Sequence, residues 1–166
     1  MSFCNSVMER ELSAYRFVGG KITHITSEEE IAEIEQALGA PKSLKPFTRH
    51  LKRALDLLAD RKSPDYRNSI KESISAVEVI CKIITGNAKA ILGQALKEIE
   101  NKVGLHPALR SAFSSLHGHT SDAEGIRHAL LDEPNLNFED AKFMLVSCSG
   151  FINYLISKSS KAGIRL

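Results

Sequence analysis

The chain lacks long apolar runs and a strong excess of charge of either sign. No apolar run approaches the ~18–20 residues that a membrane span needs, and residues 1–5 lack the basic region and apolar run of a signal peptide. We therefore expect a cytoplasmic protein with no membrane partner. A formal net charge of +2 is weak evidence for a nucleic-acid partner, because such partners usually call for a larger or more concentrated basic excess.

Cysteines are few, and the common cofactor motifs are missing. Cys4, Cys81 and Cys148 lie far apart with no Cys-x-x-Cys spacing, and Cys81 and Cys148 fall inside apolar helical stripes. We interpret these two as buried, reduced thiols. There is no phosphate-binding Gly-rich loop with its Lys, no Gly-x-Ser-x-Gly elbow and no His-Glu-x-x-His. The sequence therefore predicts no cofactor and no metal site.

What is present near the N-terminus is the pattern of a β-hairpin followed by a helix. Two short β-prone runs, 15–18 and 21–25, flank Gly19-Gly20, the residue pair that a primed turn favours. Ser27 with Glu30 is a capping-box pattern that opens a helix over 28–38. An isolated hairpin is marginal in water, so this one must pack on other elements.

The rest of the chain shows helical periodicity. In the second long helix, Ile70, Ile74, Val77, Cys81 and Ile84 are spaced by four, three, four and three residues, which defines one apolar stripe. Short connections between long helices predict an all-α, antiparallel helical bundle with a small N-terminal β-hairpin. The predicted helices are 46–59, 64–85, 88–103, 107–116 and one starting after Asn137, and the predicted divisions are 1–45 (hairpin and short helix), 46–158 (bundle) and 159–166 (flexible tail).

Residues 117–134 concentrate the chemistry of the chain, with three of its six histidines. Ser121 followed by Glu124 predicts a short helix that ends before Pro134. Arg127 and His128 then fall in its second turn, where a permanent cation lies beside a group that titrates near neutral pH.

An arginine and a histidine that converge on a phosphodiester can cleave RNA without a metal. The histidine moves a proton at the 2′-hydroxyl or the leaving oxygen, and the arginine stabilises charge in the transition state. The alternatives are an ion pair of Arg127 with a nearby carboxylate, and histidines that are merely loop residues. The catalytic candidates are Arg127, His128 and His117, and the candidates for RNA binding or support are Arg67, Glu78, Arg110 and His119.

Two further features bear on these candidates. Arg67 and Glu78 lie along one edge of the apolar stripe, where a carboxylate is partly desolvated and favours a cation; an ordinary ion pair is the alternative. Arg110 and His117, seven residues apart, share a face if their helix continues. A moderately basic belt consists of Arg49, His50, Lys52, Arg53, Arg61, Lys62 and Arg67.

Three segments, 66–78, 120–130 and 138–149, resemble the C-terminal helical domain of bacterial abortive-infection-like proteins, which is similar to members of the HEPN superfamily. The resemblance covers roughly 46–158, and it identifies the hairpin and first helix as a region leading into that domain. It implies a HEPN-like bundle that pairs as a homodimer. Many HEPN proteins are metal-independent endoribonucleases in phage defence or toxin–antitoxin pairs.

The motif of that superfamily is Arg, a polar residue, and a His four to six residues after the Arg. Arg127-His128 fits its start, but residues 132–134 are Asp, Glu and Pro. The sequence therefore suggests an RNA-directed effector or regulatory domain of a phage-defence or toxin-like system, with metal-independent ribonuclease activity as the finer hypothesis. The alternative is a catalytically silent dimerisation or interaction domain of a longer protein. The expected partners are a second copy, RNA, and an antitoxin or N-terminal partner domain.

Overall fold

A computed structural model describes residues 2–121 and 136–166. It is 71% helical and carries a small antiparallel hairpin near the N-terminus, which confirms the predicted all-α bundle. In chain order the described elements are α1 (Ser2–Arg10), β1 (Arg16–Val18), β2 (Lys21–Thr23), α2 (Glu28–Leu38), α3 (Lys45–Leu58), α4 (Tyr66–Thr85), α5 (Leu92–Val103), α6 (Pro107–Ser121) and α7 (Phe138–Lys161).

The hairpin forms where the sequence predicts it. Val18 pairs with Lys21 across the turn, and Gly19 and Gly20 have φ angles of 54° and 87°, in the left-handed region that a primed turn requires. A Cβ at Gly19 would lie 2.7 Å from Leu38 Cδ1, so glycine also permits the turn to approach α2 closely. The hairpin is thereby held against the helices.

Side chains cap the N-terminal ends of helices α2, α4 and α7. Ser27 Oγ accepts a hydrogen bond from the Glu30 N–H at the start of α2, and Asn137 forms a full capping box with Asp140 at the start of α7. Helix α4 begins after Asp65, whose carboxylate accepts from the Asn68 N–H. This helix therefore starts two residues after the predicted start at residue 64, because the Asp65 N–H still bonds to the Leu57 carbonyl of α3.

Helices α5 and α6 differ from the predicted bounds. Asn87 Oδ1 accepts from the Lys89 N–H in a turn, and Ile91 is extended, so α5 starts at Leu92 rather than near residue 88. Helix α6 continues to Ser121 instead of ending at residue 116. The short helix predicted after Ser121 lies outside the described residues.

Helix α4 is the centre of the bundle, in contact with α3, α5, α6 and α7. Its predicted stripe is buried in full, from Ile70 to Ile84. Helix α2 packs against α7, so apolar residues of the hairpin region and of the bundle belong to one continuous core. The predicted division of the chain after residue 45 stays a prediction.

The predicted flexible tail, 159–166, begins inside α7. Ser159 is fully buried, and its carbonyl accepts a hydrogen bond from the Ile164 N–H. Ile164 and Leu166 are partly buried against the core. Two apolar side chains at the end of an otherwise polar segment thus anchor it on the bundle.

Candidate functional site

A histidine and a glutamate from two helices form a close pair beside the core. His117 Nε2 of α6 lies 2.7 Å from Glu78 Oε1 of α4, and the two side chains are 25% and 20% exposed. Glu78 lies at the edge of the buried stripe, where α6 packs on α4. His117, which can carry a positive charge, is therefore a partner of the kind that the position of Glu78 predicts.

The pair has defined proton chemistry. A carboxylate oxygen accepts, so an imidazole in its neutral form would donate to it from Nε2, and Nδ1 would then be the nitrogen without a proton. A carboxylate that fixes the tautomer and orientation of a histidine is the arrangement by which proteins prepare an imidazole for proton transfer. Ordinary ion pairing between helices uses the same geometry, so the surroundings of the pair decide between these roles.

Arg110 and His117 do share one side of α6, but the structure brings them to different partners. Arg110 Nε lies 2.6 Å from Glu100 Oε2 of α5, at an angle outside hydrogen-bond geometry, which makes the contact an ion pair. Seven helical residues separate the two by about 10 Å along the axis. The shared face follows from the continuation of α6, while Arg110 forms an ion pair with Glu100, and a joint role of Arg110 and His117 stays a prediction.

Arg67 lies on the same side of α4 as Glu78, eleven residues or about 16 Å away along the axis. It lines a polar cavity of about 420 Å³ together with Tyr66, Asn68 and Leu136. Arg67 therefore belongs to the N-terminal end of α4 and does not adjoin the carboxylate of Glu78.

The remaining candidates cannot be placed. Arg127 and His128 lie outside the described residues, as does the side chain of His119. In the sequence, Arg127 and His128 follow His117 by ten and eleven residues.

A second histidine–carboxylate pair was missed by the sequence analysis. His50 Nδ1 of α3 lies 2.6 Å from Glu72 Oε2 of α4, with side chains 35% and 28% exposed. The sequence shows His50 within the basic belt and gives no sign of its partner. Only the packing register of α3 on α4 could identify the pair.

The two core thiols behave as predicted. Cys81 and Cys148 are buried, and burial raises the pKa of each to about 12; the nearby carboxylate of Glu78 contributes to the shift at Cys81. Thiols with such a pKa stay protonated at neutral pH and are poor nucleophiles. Cys81 and Cys148 are therefore packing residues.

Within 2–121 and 136–166, no three His, Cys, Asp or Glu side chains are arranged to hold a metal ion. Among the helices in the same ranges, none combines the length and the apolar character needed to cross a membrane.

Comparison with known proteins relates the N-terminal part of the chain to abortive infection. No curated protein and no solved structure matches the chain. The family described as AbiJ N-terminal domain 4 matches residues 2–40, which comprise α1, the hairpin and α2. This match lies outside the three segments that carry the HEPN resemblance, so the HEPN-like nature of the bundle stays a prediction. The N-terminal region of the chain is similar to an AbiJ domain, and this links the chain with abortive infection, a phage-defence response.

Proposed function

We propose that this chain is an RNA-directed effector of abortive infection and that it cleaves RNA without a metal, with His117 as a proton-transfer group. The observation that carries the proposal is the 2.7 Å contact between His117 Nε2 and Glu78 Oε1. It joins two helices, is largely shielded from solvent and stands five residues before the segment that contains Arg127 and His128.

The reaction is a transesterification. The 2′-oxygen of a ribose bonds to the adjacent phosphorus while the bond from phosphorus to the 5′-oxygen breaks, leaving a 2′,3′-cyclic phosphate and a 5′-hydroxyl. One proton leaves the 2′-hydroxyl and one is delivered to the 5′-oxygen, which is work for an imidazole held in a fixed orientation. Glu78 positions the ring, and Arg127 and His128 are the sequence-based candidates for binding phosphate and moving the second proton.

An exposed basic surface is consistent with binding of a polyanionic substrate such as RNA. Lys45, Arg49 and Lys52 line a cavity of about 440 Å³ on α3, beside the hairpin turn at Gly19. In the described parts of the chain, none of the three cations has an ion-pair partner. Lysine and arginine groups without carboxylate partners are suited to phosphate contacts.

The test is cleavage of a mixed RNA substrate in EDTA. We expect wild-type protein to cleave, and His117→Ala to reduce the rate by about 10²–10⁴, the usual contribution of a general acid or base. Arg127→Ala and His128→Ala test the two sequence-based candidates in the same assay. Glu78→Gln should lower kcat about tenfold with little change in KM, because it disturbs the position of the imidazole and not substrate binding.

His50→Ala is the matched control, since it removes the other histidine paired with a glutamate of α4. We expect its cleavage rate to stay within about twofold of the wild type. A partly exposed pair of this kind contributes little to the free energy of unfolding, so its loss should leave the fold intact. Sedimentation must show that each variant keeps the wild-type oligomeric state. Absence of cleavage by wild-type protein, or equal loss in the His50 and His117 variants, would contradict the proposal.

The second candidate function is a catalytically silent interaction domain, and α1 favours it. This helix buries none of its residues, and Phe3 is 79% exposed. Large exposed apolar side chains are typical of surfaces that contact another protein. Wild-type protein that does not cleave RNA but self-associates, with loss of self-association in Phe3→Ser, would support this alternative.

A further inference from the structure

A cavity of about 250 Å³ lies where the hairpin meets the bundle, apart from the Glu78–His117 pair. It is bordered by the end of β2, the turn after α3 and the first residues of α4 and α7. The volume is below the usual 300–1,000 Å³ of sites for drug-sized ligands and suits a single small ring system. The side chains used below are Tyr15, Thr23, His24, Asp60, Arg61 and Phe138.

Aromatic rings line one side of this cavity in a continuous chain. The ring centroids of Tyr15 and His24 are 4.1 Å apart, and those of His24 and Phe138 are 5.7 Å apart. Phe138 contacts Tyr66 in turn, at 6.4 Å. The guanidinium carbon of Arg61 lies 5.3 Å from the centre of the Tyr15 ring. Aromatic rings and a guanidinium are the kinds of group that contact planar ligands in proteins.

One of the residues that border the cavity, Thr23, has a buried hydroxyl. Thr23 is only 3% exposed, and its Oγ1 has no hydrogen-bond partner in the described parts of the chain. Buried polar groups in proteins are nearly always hydrogen-bonded, and leaving one without a partner costs stability. A ligand that offers a donor or an acceptor to Thr23 would remove this cost.

Asp60 supplies an anionic acceptor at the mouth of the cavity. Its Oδ1 accepts hydrogen bonds from the N–H groups of Lys62 and Ser63, at 2.9 and 3.1 Å. The Ser63 and Lys62 N–H groups hold the pKa of Asp60 below its usual value, so the side chain is ionised at neutral pH. Ionised carboxylates accept hydrogen bonds from the exocyclic amino groups of bases.

We propose that this cavity binds an unpaired nucleobase, stacked on its aromatic side and hydrogen-bonded by Thr23 and Asp60. The proposal rests on the RNA-directed function above and names a binding subsite for it. Proteins that bind single-stranded RNA combine stacking on aromatic rings with contacts from cations. The cavity that contains Arg67 shares Pro64 and Tyr66 with this one, which provides room for the next nucleotide of a strand.

A base can come from a strand of RNA or from a free nucleotide, and two probes distinguish these sources. The first is 5′-fluorescein-labelled hexa-adenylate with 2′-O-methyl riboses, which the proposed transesterification cannot cleave, measured by fluorescence anisotropy with the full chain in EDTA. The second is AMP, measured by calorimetry and by competition with the first probe. Affinity for the RNA more than about tenfold above that for AMP identifies a strand as the ligand, because neighbouring nucleotides add contacts.

Substitutions locate the binding. Thr23→Val keeps the shape of the side chain and removes the hydroxyl; we expect about fivefold weaker binding of both probes, and near wild-type affinity for Thr23→Ser. Arg61→Gln should weaken binding about five- to tenfold. Lys62→Gln is the matched control. It removes one positive charge from the residue after Arg61, and the Lys62 side chain does not line the cavity. Its affinity should stay within about twofold of the wild type.

The outcomes separate this subsite from the proposed function. Absence of binding by either probe, or wild-type affinity in both Thr23→Val and Arg61→Gln, would overturn the nucleobase site. If His117→Ala abolishes cleavage while Thr23→Val and Arg61→Gln both bind normally, the cavity has no such role and the ribonuclease proposal stands. If the probes bind and Thr23→Val weakens them in a protein that does not cleave RNA, the subsite stands without the enzyme.

Discussion

The two histidine–glutamate pairs of α4 have nearly the same chemistry and different surroundings. His50–Glu72 joins α3 to α4, and His117–Glu78 joins α6 to α4. Six residues separate the two glutamates, so they face different sides of α4. The first pair lies in the middle of the α3–α4 contact, whereas in the second His117 lies in the last part of α6, four residues before Ser121.

This difference teaches that pair geometry alone does not identify a site. Distances of 2.6 and 2.7 Å do not distinguish the pairs, and their exposed fractions differ only modestly. What differs is the sequence that follows each histidine: Arg127 and His128, the sequence-based catalytic candidates, come ten and eleven residues after His117. Under the proposed function, the His50 pair holds α3 on α4 and the His117 pair takes part in proton transfer. Three predictions test whether the pairs differ in this way.

The largest expected effect concerns Cys81, which lies three residues from Glu78 and reports on its surroundings. Because burial and the Glu78 carboxylate raise the pKa of Cys81 to about 12, the thiol stays protonated at pH 8. Cys148 is buried with a similar pKa, while Cys4 is exposed. We expect a thiol reagent to modify Cys4 at least about a hundredfold faster than the other two. Mass spectrometry of peptides from native and urea-unfolded protein checks this, and rapid native modification of Cys81 would contradict the burial.

The next effect compares the two glutamates. Glu78→Gln weakens the contact between α6 and α4 and should increase the rate of Cys81 modification about fivefold, through local opening. Glu72→Gln disturbs the opposite contact and should leave that rate unchanged. The same peptide analysis over time measures both rates. An equal increase in the two variants would mean that α4 opens as one unit. That result would contradict the claim that the two pairs hold separate contacts of α4.

The smallest effect is on global stability. Each glutamine variant replaces a charge-assisted hydrogen bond with a neutral one in a partly exposed position, so the free energy of unfolding should fall by about 1 kcal/mol. For a chain of this size that corresponds to a decrease in Tm of about 2–4 °C. Thermal unfolding followed by circular dichroism gives both values. We expect the larger decrease for Glu78→Gln, because its pair is less exposed, and the reverse order would contradict that reasoning.

The fold was predictable because it depends on local pattern. The stripe from Ile70 to Ile84 fixes which side of α4 is buried, and Gly19-Gly20 fixes the hairpin, because only particular residues permit that backbone conformation. Where competing local bonds decide a boundary, prediction was less accurate. Asp65 replaces the expected cap of α4 because its carboxylate reaches the Asn68 N–H.

The site was predictable only in part, because contacts between helices depend on packing register. Position along the stripe indicated that Glu78 needs a partner, but nothing in the sequence selected His117 over Arg110 or identified His50 as the partner of Glu72. The aromatic cavity also has no local signature. Tyr15, His24 and Phe138 come from distant parts of the chain, and only the packing of the hairpin on the bundle brings them together.

The measurement that tests the account most directly is the rate of RNA cleavage in EDTA for His117→Ala and His50→Ala, compared side by side in folded proteins of equal oligomeric state. We predict that the His117 variant is slower than the His50 variant by about two orders of magnitude or more, with the His50 variant close to the wild type. Equal rates in the two variants would show that both pairs serve the fold alone and would contradict the assignment of His117 to catalysis.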